Sequence, residues 1–194
     1  LEPDLVLTFS DLQADIAAEL LRAGVAVHGF NHRDLAGSFA MIETLGALIG
    51  QPAKGAALAD NLRARIERLR RAPKARPNVY FEEWDDPMIS GLAWVSELVE
   101  IAGGRDVFPH LAREGSAKDR FVTSDQVIAA APDVIIASWC GKKVRPEKIA
   151  ARPGWEAIPA VQNNRIHEIK SPLILSPGPA ALTDGLDALL DILG

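Results

Sequence analysis

A phrase that occurs twice constrains the fold of this chain more than anything else in it. Leu1-Glu2-Pro3-Asp4-Leu5-Val6-Leu7-Thr8-Phe9-Ser10 opens the sequence, and Ala130-Ala131-Pro132-Asp133-Val134-Ile135-Ile136-Ala137-Ser138-Trp139 returns in the second half. Each reads as a helix end, a Pro-Asp break, a short apolar strand, then an aromatic beside a serine. Proline ends the helix because it has no N–H to donate and restricts the residue before it. The aliphatic run that follows suits a strand covered on both faces, as in a parallel sheet. Two such units point either to two similar α/β lobes or to one α/β sheet in which any buried strand has this form. In open parallel sheets ligands gather beyond the carboxyl ends of the strands. Those ends carry Phe9 and Ser10 in one unit and Trp139 and Cys140 in the other.

The order of elements fits two lobes with a cleft between them. The strand Asp4–Phe9 leads into a helix from Asp11 to Arg22, capped by Ser10 or Asp11 and ended by Gly24, and the strand Val25–Phe30 completes a β-α-β unit. Asp34 caps a helix to Ile49, closed by Gly50 and Pro52. A second helix runs from Lys54 to Arg71 with Leu58, Leu62, Ile66 and Leu69 along one face. The stretch Ala72–Pro77 is a boundary. Beyond it come a strand Asn78–Glu82, a loop Glu83–Met88 and a helix Leu92–Ala102 stopped by Gly103-Gly104. A helix capped by Thr123 or Ser124, the second Pro-Asp strand, a last strand Arg165–Ile169, a turn Ser171-Pro172-Leu173 and a helix Ala180–Leu193 follow. The first Pro-Asp strand has no helix before it, whereas the second has one. Because a buried parallel strand needs bonded neighbours, an upstream segment, with any targeting signal, is expected to be missing.

Charge and cysteine content narrow the function. With 21 Lys and Arg against 26 Asp and Glu, the net charge of −5 argues against nucleic acid, whose phosphates demand a basic footprint. The basic stretch Arg63–Arg76 alternates with apolar residues at helical spacing and reads as a solvated helix face. One cysteine forbids an internal disulfide. Cys140, placed after a strand and before a glycine, could be a nucleophile, but His28, His32, His110 and His167 form no motif with it and no metal-ligand spacing. An α/β enzyme using Cys140 is therefore the reading of another class. No apolar run is long enough to span a bilayer, and no phosphate-cradling glycine loop follows a strand.

Three segments carry a resemblance to a known family. Trp84-Asp85-Asp86-Pro87-Met88-Ile89-Ser90-Gly91-Leu92-Ala93-Trp94-Val95 runs on to Glu97-Leu98-Val99-Glu100-Ile101-Ala102-Gly103-Gly104. Asp119-Arg120-Phe121-Val122-Thr123-Ser124-Asp125-Gln126-Val127 enters a helix, and the two Pro-Asp strands complete the pattern. With the order β-α-β, long helical connector, α/β lobe, the whole chain resembles the substrate-binding proteins of the iron-siderophore, haem and vitamin B12 ABC importers. It is most similar to those described as cobalamin-binding. The resemblance implies a non-enzymatic periplasmic protein of α/β class, with two Rossmann-like lobes joined by a long helix and the first lobe incomplete. Residues 1–33 would form the partial N-terminal lobe, 34–76 the helical connector and 77–194 the C-terminal lobe. It implies capture of a cobalamin-like corrinoid, haem or ferric siderophore between the lobes, with no covalent cofactor, and delivery to a permease in the inner membrane.

Site residues follow from the same resemblance and from aromatic chemistry. A corrin or porphyrin offers a broad, partly apolar surface that aromatic side chains cover at small entropic cost. Phe9 and Phe30 fall at or near family positions that face ligand, and Trp84 and Trp139 end the readable strands of the second lobe. Ser10, Asp85, Lys142 and Pro172 complete the expected ligand set, the polar ones at the cleft rim. Trp94 reads as core beside Leu98 and Ile101, and Trp155 as structural. Asp15 and Asp125 match the acidic residues, often glutamates, with which each lobe meets permease arginines. No tryptophan stands just before Val122, where Asp119-Arg120-Phe121 sit, and Ser171–Leu175 replace an expected Asp/Arg pair. These departures leave the ligand open among corrinoid, haem and siderophore.

Overall fold

A computed structural model of the chain describes residues 2–194; Leu1, the first residue of the first Pro-Asp phrase, lies outside the described residues. Two sheets organise it, one parallel and one mostly parallel. The first is two-stranded, β1 (Val6–Thr8) beside β2 (Val27–Gly29), with Val6 opposite Val27 and Thr8 opposite Gly29. Between them Ser10 caps a 3-10 turn (Asp11–Gln13) by accepting from the Leu12 N–H, and α1 (Ala14–Arg22) follows. Gly24 ends α1 at φ +80°, where only a residue without a Cβ is unstrained, so that Val25 N–H reaches back to the Leu20 carbonyl.

The connector is a helical hairpin. Asp34 caps α2 (Leu35–Leu48) by accepting from the Gly37 N–H at 2.7 Å. Pro52, expected to close that helix, instead opens α3 (Pro52–Leu69) at its first position, where the missing N–H is not needed. Gly46 and Gly55 let the two backbones touch: a Cβ on Gly46 would lie 2.8 Å from Gly55 Cα. The expected face of α3 holds except at Leu58, with Leu69 partly buried against the core. Ala59, Leu62 and Ile66 are buried, while Leu58 stays 43% exposed beside Ile49 and Met41. Four arginines of the basic stretch form ion pairs. Arg63 pairs with Glu43 and Asp60, Arg65 with Asp187, Arg70 with Glu67 and Arg76 with Glu100.

The second sheet has five strands. β3 (Asn78–Asp85) lies at its centre beside β6 (Val134–Ala137), which pairs with β7 (Ile166–Glu168), all parallel. β4 (Met88–Ser90) adds antiparallel to the end of β3, and β5 (Arg105–Asp106) parallel to its start. The expected loop Glu83–Met88 is thus corrected to the tip of a hairpin, whose Asp86-Pro87 turn supplies the punctuation that reads as a longer loop in sequence. Likewise Ser171-Pro172-Leu173 opens a short helix, α8 (Ser171–Ile174), rather than forming only a turn.

Strand periodicity sorts the core into two layers. Val79 and Phe81, with Val134 and Ile136, pack against α4 (Ala93–Ile101), the connector residues Leu62 and Ile66, and α9 (Leu186–Leu193), which follows a π-helical turn (Ala181–Gly185). Tyr80 and Ile135 face the other way. They pack with Trp139, Trp155 and Val127 of α5 (Ser124–Ala130), and with Ile149 and Ala160 of α6 (Pro146–Ala150) and α7 (Pro159–Gln162). Trp94 and Trp155 are buried, as expected. The first sheet has little of this: α1 contributes no buried residue, and Leu7, Ile16 and Leu21 are exposed.

Gly46→Val is expected to force α2 and α3 apart and to cost about 1–3 kcal/mol, read as a lower urea midpoint at unchanged m-value. An unchanged midpoint would show that the hairpin tolerates a wider crossing.

Candidate functional site

The carboxyl ends of β1 and β2 face the second lobe across a cleft of about 340 Å³. From the first lobe it is lined by Phe9, Ser10, Asp11, Leu12, His32 and Arg33, and from the second by Glu83, Leu92, Trp94, the 115–118 loop, Arg120, Leu175 and Pro177. The local sequence explains the first side. Ser10 spends its hydroxyl on the cap, accepting from Leu12 N–H at 3.2 Å and donating to Asp11 Oδ1 at 3.2 Å. That tight turn pushes Phe9 and Leu12 outward, 58% and 89% exposed. Asp11 holds Arg33 at 2.7 Å. Phe30 is buried behind the surface, its ring 5.5 Å from that of His32, and so supports the cleft from beneath.

The two sides are joined at Trp94. Its backbone N–H donates to the Arg33 carbonyl at 2.9 Å, and its indole N–H donates to the Ile174 carbonyl at 2.8 Å. One turn later the Glu97 carboxylate accepts from the Leu35 N–H at 2.8 Å, adding a cap to α2 from the second lobe. Burial raises the Glu97 carboxyl above its usual range, against the lowering effect of that hydrogen bond.

Glu82 and Glu83 are consecutive, and the pleat sends them to opposite sides. Glu83 meets Arg120 in the cleft, 2.5 Å from Oε2 to Nη1. Glu82 is fully buried in the other layer, where Arg152 donates to both of its oxygens at 2.5 and 3.0 Å, Trp139 donates its indole N–H at 3.1 Å and the Tyr80 hydroxyl lies 3.2 Å away. Burial, then the Glu82 charge, push the Tyr80 hydroxyl well above its usual pKa, so it stays a neutral donor. Burial alone would lower Arg152, but the hydrogen bond and charge of Glu82 outweigh it and the net shift is upward.

The residues expected to share one opening are divided by this arrangement. Phe9 and Ser10 line the cleft. Trp84, Asp85, Trp139 and Lys142 form a separate cluster: the Lys142 ammonium lies 2.5 Å from Asp85, 5.4 Å from the Trp84 ring centre and 5.0 Å from that of Trp139. Trp139 is 4% exposed, its indole committed to Glu82, and the Trp84 N–H donates to the Asp86 carbonyl at 3.0 Å. Pro172 is exposed at the start of α8 and is not among the residues that line the cleft. Asp15 and Asp125 are both exposed in the first turns of α1 and α5. Cys140 is free and exposed. Among the described residues no group of three or more His, Cys, Asp or Glu is placed to hold a metal ion, and no helix is long and apolar enough to cross a membrane. Leu12, Arg33, Glu83 and Arg120 were not foreseen. The one available signal was the stretch Asp119-Arg120-Phe121, standing where a tryptophan was expected.

A two-lobed α/β chain with a cleft at its strand ends defines a ligand-capturing class, and the sequence agrees: residues 1–173 match the periplasmic binding protein family, to which this chain belongs. It is 27% identical over 188 residues to the vitamin B12-binding protein of Vibrio parahaemolyticus serotype O3:K6, a match that covers 94% of this chain. The chain spans 66% of that protein's length, just under two thirds. An ABC transporter substrate-binding protein from Listeria monocytogenes EGD-e superposes with a TM-score of 0.81 at 21% identity, over 98% of this chain and 76% of that one. The periplasmic haem-binding protein RhuT from Roseiflexus sp. RS-1, in apo form, gives 0.77 at 24% identity, over 99% and 77%.

Arg152→Met should leave a charged Glu82 buried without its partner and cost about 3–5 kcal/mol, seen as a lower denaturation midpoint. The double change Glu82→Gln with Arg152→Met should recover most of that loss; equal losses would show that Arg152 acts through packing alone.

Proposed function

We propose that this chain is the substrate-binding component of an ABC importer. It captures a metal chelate or corrinoid, with haem and ferric siderophores as the neighbouring choices, in the cleft between its lobes, and delivers it from the periplasm to a membrane permease. The observation that carries this reading is the cleft itself. Strand ends of both sheets converge on it, one side presents the exposed Phe9 and Leu12, and the other presents the paired charges of Glu83 and Arg120. Its volume lies within the range usual for small-molecule sites. Membership of the periplasmic binding protein family and the likeness to a vitamin B12-binding protein support it.

Phe9 and Ser10 are the ligand-side residues retained from the sequence, with Phe30 supporting them. Trp84, Asp85, Trp139 and Lys142 serve the second lobe beside the cleft: a lysine held over two rings and against a carboxylate stiffens the tips of β3 and β6. Asp15 and Asp125 are the docking acids, one on each lobe and both exposed. Such rim charges set orientation and association rate more than affinity.

Titration of the full chain with cyanocobalamin, haemin and ferric desferrioxamine should give saturable binding of one of them. Phe9→Ala should then weaken that binding by about 1–3 kcal/mol, the scale of a buried aromatic contact. No saturable binding of any of the three would overturn the reading. Asp125→Lys should lower transport by a reconstituted permease at least several-fold while leaving ligand affinity unchanged; a matching loss of affinity would remove Asp125 from the docking surface.

A further inference from the structure

Trp84, Asp85, Trp139 and Lys142 meet at the carboxyl ends of β3 and β6, and none of them is among the residues that line the cleft. Open α/β sheets take ligands at such ends. The groups around the lysine are fixed from behind. The Trp139 indole N–H is committed to Glu82 at 3.1 Å, and that of Trp84 to the Asp86 carbonyl at 3.0 Å. Each ring is thus held by its edge and lies under the Lys142 ammonium, at 5.0 Å for Trp139 and 5.4 Å for Trp84. The ring face is the negative side of an aromatic quadrupole and attracts a cation. β3 carries a bulge between Glu82 and Trp84, a device that re-aims side chains, and beyond it the consecutive residues Trp84 and Asp85 reach the same cation.

Lys142 is held more loosely than the groups that surround it. Its side chain is 48% exposed, against 19% for Asp85. It enters from the loop after β6, next to Gly141, which stands at φ +69° with open space on its Cβ side. The Lys142 backbone N–H lies 3.4 Å from the Trp139 carbonyl, a long hydrogen bond. An ion pair made by a half-exposed lysine contributes little against solvation in water.

We propose that this cluster is a second binding site, for an alkylated ammonium group, and that Lys142 is its removable occupant. Two ring faces and a carboxylate, ordered before any ligand arrives, form a receptor for positive charge. The rings ask for no N–H donor. A quaternary ammonium spreads its charge over methyl groups and gives up less hydration on entering than the compact, strongly hydrated lysine ammonium. Asp85 supplies the counter-charge for either cation. The displaced lysine swings into solvent from its half-exposed position, so one cation replaces another and the buried Glu82 network keeps its hydrogen bonds. The site goes beyond the cleft reading and does not depend on it.

The test follows the indole N–H resonances of the four tryptophans by NMR in the full chain, at constant ionic strength, as choline is added. The control is its uncharged isostere, in which a tert-butyl group replaces the trimethylammonium. Choline should shift the Trp84 and Trp139 resonances saturably and leave those of Trp94 and Trp155 in place. It should bind at least about fivefold more tightly than the isostere, as a cation held over aromatic faces requires. Lys142→Ala should raise choline affinity at least about threefold, because no occupant has to leave. Absence of saturable shifts in the unmodified chain, equal binding of the isostere, or choline affinity that does not rise in Lys142→Ala would each overturn the site and leave chelate binding in the cleft standing. The comparison of choline with its isostere in the unmodified chain decides the point even if the variant fails to fold.

Discussion

The cleft depends on the joint at Trp94. A two-stranded sheet with an unburied helix across it has little apolar area with which to fix its own position. Trp94 supplies what the first lobe lacks. Its side chain is 3% exposed within the second-lobe core, its indole is fastened to Ile174, and its backbone N–H reaches out to Arg33 at the end of the first lobe. Glu97, a turn further along the same helix, holds the start of α2. Both bonds cross between distant stretches of chain and run from one short helix, so the position of α4 sets the distance between Phe9 and Arg120.

The second determinant is the split of two adjacent carboxylates. Burying charge is costly unless it is paired and hydrogen-bonded. Glu82 meets that condition fully, with Arg152, Trp139 and Tyr80 around it, and so closes the strand ends of the second lobe as a sealed network. Glu83 meets it with Arg120 on the opposite side and leaves part of the arginine unused. One carboxylate therefore stabilises the lobe while its neighbour prepares the cleft. A shift of register by one residue would exchange them.

Much of the architecture was legible because local rules agree with it. The Pro-Asp strands, the Ser10, Asp34 and Thr123 caps and the Gly24 stop all sit where their backbone chemistry requires, give or take a residue or two at strand ends. The hairpin after Glu82 was harder to read, because acidic residues before a proline resemble any loop and its pairing with Ile89 and Met88 is non-local. The site was legible only in part. Phe9 and Ser10 are adjacent to a strand end and had to lie near the opening. Trp84 and Trp139 also end strands, yet the structure gathers them around Lys142 and Glu82, because alternate residues of a strand leave on opposite faces and only the packed sheet shows which face is which.

Sequence alone determined that the chain alternates strands and helices, where several of its helices are capped or stopped, that a helical segment links two strand-bearing regions, and that a family of ligand-capturing proteins shares this order. These are consequences of period, capping and punctuation, which act over a few residues. Tertiary structure decided which side chains meet. The cleft draws on positions near 10, 33, 83, 94, 118, 120 and 176. Contacts between segments that far apart depend on the handedness of crossovers, the pleat of β3 and the seat of one tryptophan, none of which a local pattern encodes.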